Sequence, residues 1–185
     1  MQLSKKSLAT LLAPLLLVIG SASIKAQAEN EKPPLEVVES VDLDRYLGRW
    51  YEVASIPQSF QRGCRNSQAE YSKMSRNRIR VINTCLANGR TKRVKGKAWI
   101  ADTATNAKLK VQFFWPFKGD YWIIELDEGY QYAVVGNPER TSLWILSRSP
   151  KISDELYDRL LHRIEFTHFY DPSLVVRPAA LDAVE

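Results

Sequence analysis

The chain has 185 residues, of which 45% are hydrophobic and 25% charged, and its formal net charge is +5. This composition is typical of a single folded domain and excludes a disordered chain, a collagen and a coiled coil. Two cysteines and two histidines leave little material for a structural zinc site, which takes four ligands. We therefore expect no metal and no cofactor.

The first 28 residues have the pattern of a secretory signal peptide. Lys5 and Lys6 precede an uncharged apolar run at 8–19, and the segment ends in the small-residue pattern Ala-Gln-Ala at 26–28. The 12-residue run is shorter than the roughly 20 residues that span a bilayer, which argues against an uncleaved anchor. We predict cleavage after Ala28, with a cut near Ser23 as the alternative.

Export without a lipid anchor follows from the residues after the apolar run. Ser21 stands where a bacterial lipoprotein carries its lipidated cysteine, and the first cysteine of the chain is Cys64. We therefore predict a periplasmic, non-lipidated protein, with association to the outer membrane left open. Removal of three lysines and no acid lowers the net charge from +5 to +2 over the remaining 157 residues, which argues against nucleic-acid binding.

An extended lead-in at 29–40 is followed by strand-like runs, separated by turns such as Asn88-Gly89 and Asn137-Pro138. Eight such runs follow one another without intervening helices, at 49–56, 67–74, 78–86, 92–100, 108–114, 120–126, 130–136 and 142–148. This arrangement predicts an antiparallel meander. Closure into a barrel would remove the exposed strand edges, and an open sandwich is the alternative.

Helical signals occur at both ends of the strand region. Asp42 can cap a short helical turn at 43–47, and Ser153 can cap a longer helix. In the longer helix Leu156, Leu160 and Ile164 form an apolar stripe. We expect this stripe to pack against the outside of the sheet, and we expect a short final strand at 174–176.

Three segments in register with this strand pattern resemble the motifs of the lipocalins. Gly48-Arg49-Trp50 resembles the motif that opens the first strand. The segment at 126–133, which includes Asp127, resembles the second motif, although Glu128 replaces part of its common Thr-Asp-Tyr form. The segment at 142–148, which ends in Arg148, resembles the third motif. The segments at 113–117 and 152–155 further resemble the Blc-like bacterial lipocalins and, more distantly, apolipoprotein D.

The resemblance implies an all-β fold, an eight-stranded antiparallel up-and-down lipocalin β-barrel with one C-terminal α-helix packed outside. The lipocalin domain would span 41–178, followed by a tail at 179–185. It further implies that Trp50 lies across the closed end of the barrel and that Arg148 packs against it, with Gly48 and Asp127 completing the structural motif. Strand parity places Glu52, Ala54 and Ile56 on the face of Trp50, and an inward carboxylate would be unusual.

The middle strands supply candidate residues for an apolar lumen. These are Ile79, Val81, Trp99, Val111, Phe113, Tyr121, Ile123, Tyr132 and Trp144. The resemblance and the size of an eight-stranded barrel imply a hydrophobic small-molecule ligand, and an acyl chain suits such a lining. A fatty acid or a lysophospholipid is our prediction, and a structural envelope protein with a filled barrel is an alternative.

Cys64 and Cys85 flank the hairpin of the second and third strands at about equal distance from its turn at 75–77. In an exported chain this placement predicts a disulfide. The alternative is a lipocalin-fold enzyme that uses a free thiol, as in the lipocalin-like prostaglandin synthase. No nucleophile elbow, phosphate-binding loop or metalloprotease motif is present, and we predict a binding protein with no catalytic residue.

Basic residues alternate with apolar ones in the third and fourth strands, namely Arg76, Arg78, Arg80, Arg93, Lys95 and Lys97. We interpret them as a solvated outer face, and we hypothesise a peripheral contact with anionic lipid near the barrel mouth. His162 and His168 are interpreted as surface residues. Homodimerisation, which some relatives show, is left open.

Overall fold

A computed structural model of the chain describes residues 32–75 and 77–178. The predicted signal peptide at 1–28 and the tail at 179–185 lie outside the described residues. From Pro34 onward the described residues belong to one compact unit. None of the described helices is both long and apolar enough to cross a membrane.

Eight antiparallel strands follow one another around a closed barrel in chain order. Their bounds are β1 Gly48–Ser55, β2 Arg65–Ser75, β3 Arg78–Ala87, β4 Arg90–Ile100, β5 Lys108–Gln112, β6 Gly119–Leu126, β7 Tyr132–Gly136 and β8 Leu143–Ser147. Pairing of β1 with β8 closes the ring. The predicted barrel is confirmed, and the open-sandwich alternative is wrong because no strand in the described sheet lacks a second neighbour.

Two helices frame the barrel in sequence. Helix α1, Leu43–Tyr46, begins at Asp42, whose side chain accepts hydrogen bonds from the backbone N–H groups of Asp44 and Arg45. Helix α2, Asp154–Phe166, begins at Ser153, whose side chain accepts from Leu156 N. Both caps agree with the predicted ones, because short polar side chains satisfy N–H groups that have no partner within the helix.

Alternation along the strands produces two apolar clusters. The inner cluster lies inside the barrel and includes Trp50, Tyr71, Ile79, Val81 and Ile123. The outer cluster lies between the barrel wall and α2 and includes Val53, Ile124, Val134, Ile145, Leu160 and Ile164. The stripe of α2 therefore buries one outer face of the barrel, as predicted.

A β-bulge in β1 changes which residues face the lumen. Glu52 pairs with Leu146, an inner residue, whereas Ala54 pairs with Ile145, an outer residue. Ala54 and Ile56 accordingly belong to the outer cluster. The prediction that they share the face of Trp50 is wrong because the extra residue reverses the alternation.

The segment after α2 packs against the loop between β7 and β8. The hydroxyl of Tyr170 accepts from Asn137 N at 3.0 Å and donates to Asn137 O at 3.0 Å. Instead of a final strand at 174–176, the chain forms a 3-10 turn, Pro172–Leu174, and a single bridge from Val176 to Ser55. Pro172 stands at the first position of this turn, where its fixed φ suits the 3-10 conformation.

The two ends of the barrel differ in construction. We name the end that carries α1, the start of β1 and the end of β8 the closed end. The open end carries the β1–β2 loop, with its 3-10 turn Ser59–Gln61, and the β5–β6 loop at 113–118. These two loops lie on opposite sides of the mouth, because β1 and β5 are four strands apart in a ring of eight.

Candidate ligand site

The closed end is sealed around Arg148 and Trp50. The Arg148 guanidinium carbon lies 3.8 Å from the centroid of the Trp50 ring, and its Nη atoms donate to the backbone carbonyls of Arg45, Leu47 and Arg49 at 2.7–2.9 Å. The indole N–H of Trp50 donates to Tyr46 O at 2.8 Å. This arrangement ties the end of β8 to α1 and makes the floor of the lumen.

Gly48 and Asp127 shape the backbone beside this floor. Gly48 adopts a φ of 92°, and a Cβ there would lie 3.4 Å from Arg148 Nη1, so glycine suits both the conformation and the contact. Asp127 accepts a hydrogen bond from Gln131 N in the β6–β7 turn. Tyr130 of that turn accepts from Asp42 N at 2.8 Å through its hydroxyl, which joins the turn to α1.

Three tyrosines, of which Tyr46 and Tyr71 are buried, line the lumen just above the floor. The hydroxyl of Tyr121 lies 2.7 Å from that of Tyr46 and 2.9 Å from that of Tyr71. Burial raises the pKa of Tyr71 to about 12 and raises that of Tyr46 and Tyr121 well above 10.0. The three hydroxyls therefore remain protonated at neutral pH. Of the three, only Tyr121 is among the lumen residues predicted from the sequence. Tyr71 pairs with the inward Val81, which is a matter of register.

Most of the predicted lumen residues lie on the inner face. Ile79, Val81 and Ile123 are buried there, and the other members pack against them with part of their surface accessible, namely Val111, Phe113, Tyr121 and Trp144.

Trp99 and Tyr132 lie outside the barrel, which corrects their prediction as lumen residues. Trp99 neighbours the inward Ala98 and therefore points outward, where Lys118 Nζ lies 5.0 Å from its ring centroid. Tyr132 packs in the outer cluster with the α2 stripe. Both errors have the same reason: an aromatic residue suits either face of a strand, and only the register decides between them.

Glycine at position 96 makes room for Phe113 inside the barrel. A Cβ on Gly96 would lie 2.6 Å from Phe113 Cδ1 and 2.8 Å from Gln112 O. The aromatic ring therefore lies directly over the β4 backbone, at the level where Gly96 pairs with Val81. Phe113 thus occupies part of the lumen, and any residue larger than glycine at position 96 would overlap with its ring.

A polar group interrupts the apolar lining near the mouth. Glu52 Oε1 accepts from Ser55 Oγ and Glu52 Oε2 accepts from Gln61 Nε2, each at 2.7 Å. Gln61 Oε1 in turn accepts from the indole N–H of Trp144 at 3.1 Å. Burial raises the pKa of Glu52 above its ordinary value of 4.5, although these hydrogen bonds oppose the shift. The expectation of an inward Glu52 therefore agrees with the structure, and its partner Gln61 was missed.

Cys64 and Cys85 form a disulfide, which confirms the predicted pairing. Both cysteines of the chain are in this bond, so none remains as a free thiol. The bond joins the end of the β1–β2 loop to β3 and so holds the loop that carries Gln61 at the open end.

His168 departs from its interpretation as a surface residue. Its side chain is buried, with Nε2 2.6 Å from Glu125 Oε1, and Arg163 donates to the same carboxylate. The group lies on the outer face beside α2, away from the lumen. Over residues 32–75 and 77–178, no cluster of three or more His, Cys, Asp or Glu side chains could hold a metal ion.

A barrel with one sealed end, one open end and an apolar lining defines a binding protein for a small hydrophobic molecule. Comparison with protein families agrees with this class: a model described as a lipocalin-like domain matches residues 41–179. The chain therefore belongs to the lipocalin family, whose members bind hydrophobic small molecules.

Individual relatives extend this comparison. The chain is 40% identical over 154 residues to the outer membrane lipoprotein Blc of Escherichia coli, covering 81% of this chain and 87% of that protein. It is 39% identical over 143 residues to temperature-induced lipocalin-1 of Arabidopsis thaliana, covering 72% and 77%. Apolipoprotein D of Bos taurus is 33% identical over 147 residues, covering 75% and 77%.

A solved structure supports the fold alone. Insecticyanin from the tobacco hornworm Manduca sexta superposes with a TM-score of 0.66 at 22% sequence identity, covering 83% of this chain and 88% of that one. The barrel and its outer helix thus recur in a chain of very different sequence.

Proposed function

We propose that this lipocalin is exported and carries fatty acids or lysophospholipids in the bacterial cell envelope, as a binding protein and not an enzyme. The observation that carries the proposal is the closed barrel with an apolar inner lining, several members of which keep part of their surface accessible. An acyl chain would enter at the open end and gain about 0.8 kcal/mol for each methylene that leaves water. The disulfide supports binding over thiol catalysis, because it consumes both cysteines.

Location in the envelope is supported by the signal-like first 28 residues and by the similarity to Blc, which is named an outer membrane lipoprotein. Ser21 stands in place of a lipidated cysteine in this chain. We therefore propose a periplasmic protein without an acyl anchor, which reaches the outer membrane by other contacts.

The open end is suited to contact a membrane surface. Phe60, Phe114, Trp115 and Phe117 are 71%, 65%, 87% and 77% exposed, and they lie in the two loops on opposite sides of the mouth. Arg62, Arg90 and Lys118 are exposed at the same end. Exposed aromatic side chains beside cations favour an anionic lipid surface. The alternating basic residues of β3 and β4, by contrast, run along the outer side of the barrel.

Mass spectrometry of the natively purified protein tests the proposal. We expect a mature chain that begins at Glu29, two hydrogens lighter than the reduced chain, with a co-purifying lipid that is lost on denaturation. The same spectrum gives the oligomeric state, for which we propose a homodimer as the form to test. An acylated or full-length chain contradicts the proposed location. An empty barrel that binds no added lipid favours the structural envelope protein.

A further inference from the structure

Glu52 is a lumen carboxylate without a cationic partner. Its two hydrogen-bond donors, Ser55 Oγ and Gln61 Nε2, are both neutral, and among the described residues no Lys, Arg or His forms an ion pair with it. A carboxylate removed from water takes up a proton or acquires a cation, because neutral hydrogen bonds do not replace its hydration in full. A cationic group on a ligand would supply the partner that Glu52 lacks within the described residues.

A second acceptor on the inner face also lacks a partner. Asn83 Oδ1 is buried without a hydrogen-bond partner among the described residues. Asn83 faces the lumen, since it pairs with the inward Ala69 and alternates with the buried Val81. A carboxylate has about four acceptor positions, of which the neighbours fill two. Ser55 and Trp144 have already used their single side-chain protons.

Aromatic rings contribute to the same inner face. Trp144 lies beside Gln61, and Tyr71, Tyr121 and Phe113 belong to the same inner lining. The faces of aromatic rings attract cations, and the attraction increases where water is excluded. Unpaired acceptors and aromatic faces together match a cation that bears N–H donors.

We propose that the lumen selects amphiphiles whose polar end is a primary ammonium group, which pairs with Glu52 while Asn83 accepts a further hydrogen bond from the ligand. This inference rests on the proposed function and narrows it: of the ligands proposed above, a lysophospholipid whose head group carries a primary ammonium suits Glu52, whereas a fatty acid does not. Among chains of equal length, the amine would bind most tightly, the alcohol less tightly and the carboxylate least. A carboxylate head beside Glu52 meets a like charge, whereas an alcohol supplies a donor without charge.

The test compares dodecylamine, dodecanol and dodecanoate by calorimetry on the full mature protein at neutral pH. Glu52→Gln keeps the shape of the side chain and one acceptor oxygen, but it removes the charge and replaces the other oxygen with an N–H donor. Glu70→Gln is the matched control, because Glu70 is exposed on the outer face of β2, opposite Arg49 and Ile82. Circular dichroism and the thermal midpoint establish that each variant is folded.

We expect Glu52→Gln to weaken dodecylamine about tenfold or more, to tighten dodecanoate and to leave dodecanol nearly unchanged. Asn83→Leu should weaken the amine and the alcohol together, and Glu70→Gln should change none of the three. Equal amine affinity in wild type and Glu52→Gln overturns the inference while the carrier function stands. If none of the three amphiphiles binds the wild type, the proposed function itself fails.

Discussion

The guanidinium carbon of Arg148 lies 3.8 Å from the centroid of the Trp50 ring, and the same guanidinium bonds three backbone carbonyls around α1. One side chain thus joins the first strand, the last strand and the helix that seals the lumen. Stacking and hydrogen bonding act on the same planar group, which only arginine offers.

Replacement of Arg148 is expected to destabilise the barrel at its closed end. Arg148→Met keeps much of the contact with Trp50 but leaves the carbonyls of Arg45, Leu47 and Arg49 without their donor, at a cost of about 3 kcal/mol. Urea unfolding followed by tryptophan fluorescence measures the loss. Arg49→Lys is the control, since only the backbone of Arg49 takes part. A change below about 0.5 kcal/mol for Arg148→Met would show that the seal contributes little.

The disulfide is expected to contribute about 3 kcal/mol to the free energy of unfolding, because it closes a loop of 21 residues in the unfolded chain. The double variant Cys64→Ser, Cys85→Ser should lose this amount in urea unfolding. Reduced wild type should unfold at the same urea concentration as the double variant. If oxidised and reduced wild type are equally stable, the bond serves only to position the β1–β2 loop.

Glu52 is expected to make the protein less stable as the pH rises. Burial raises the pKa of Glu52 in the folded state above the ordinary value of 4.5. At a pH between the ordinary pKa and the raised pKa, the folded state therefore binds more protons than the unfolded state. Stability therefore falls through that window and remains lower above it. Tyr71, the titratable group that faces Glu52 from β2, stays neutral there because its pKa is about 12.

The variant Glu52→Gln tests this dependence. It should have a higher thermal midpoint than wild type at pH 7 and the same midpoint below the ordinary pKa of the carboxyl. Melting curves from pH 3 to 8 provide the comparison. If the thermal midpoints of the variant and wild type differ by the same amount at every pH from 3 to 8, the substitution acts through packing and not through titration of Glu52.

Glu125 is expected to make the protein less stable as the pH falls, which is the opposite of the effect of Glu52. Burial alone would raise the pKa of Glu125, but hydrogen bonds from His168 and Arg163 outweigh it and lower the pKa below 4.5. The stability it contributes is present above the ordinary value and is lost as the pH falls through the folded pKa. Glu125→Gln should lower the thermal midpoint at pH 7 and converge with wild type in acid. A variant as stable as wild type at pH 7 would contradict this role.

Alanine at position 96 is expected to disturb the lumen. Because a Cβ there meets Phe113 Cδ1 at 2.6 Å and the backbone oxygen of Gln112 at 2.8 Å, both the ring and the end of β5 must shift at the lumen wall. Gly96→Ala should weaken the binding of dodecanol several-fold. It should also shift the fluorescence of Trp144, which belongs to the inner lining. Gly119→Ala is the matched control, as its Cβ meets only Val111, at an ordinary 3.8 Å. Equal effects of the two substitutions would contradict a specific contact with Phe113.

The sequence predicted the architecture well where local signals are strong. Alternation with period two, together with turn residues such as Asn88-Gly89, located all eight strands, and Ser153 located the start of α2. These features are local, because hydrophobic periodicity and capping act within a few residues.

The interior was less predictable because it depends on register. A bulge in β1 moved Ala54 outward, and aromatic residues as similar as Trp99 and Trp144 lie on opposite faces. The partner of Glu52, Gln61, comes from a loop whose path no periodicity describes. Burial of His168 likewise arises from the packing of the chain after α2 against Glu125.

Closure of the barrel also requires that its last strand be present. Seven of the eight strand pairings join neighbours in sequence, and only the pairing of β1 with β8 spans the whole domain. Until Leu143 and the residues after it are present, β1 and β7 would remain as two bare edges of an open sheet. Such edges pair readily with other chains. A chain truncated before β8 would therefore expose two strand edges that can pair with other chains, and its lumen would be open along one side. The last strand thus protects the protein from association through these edges.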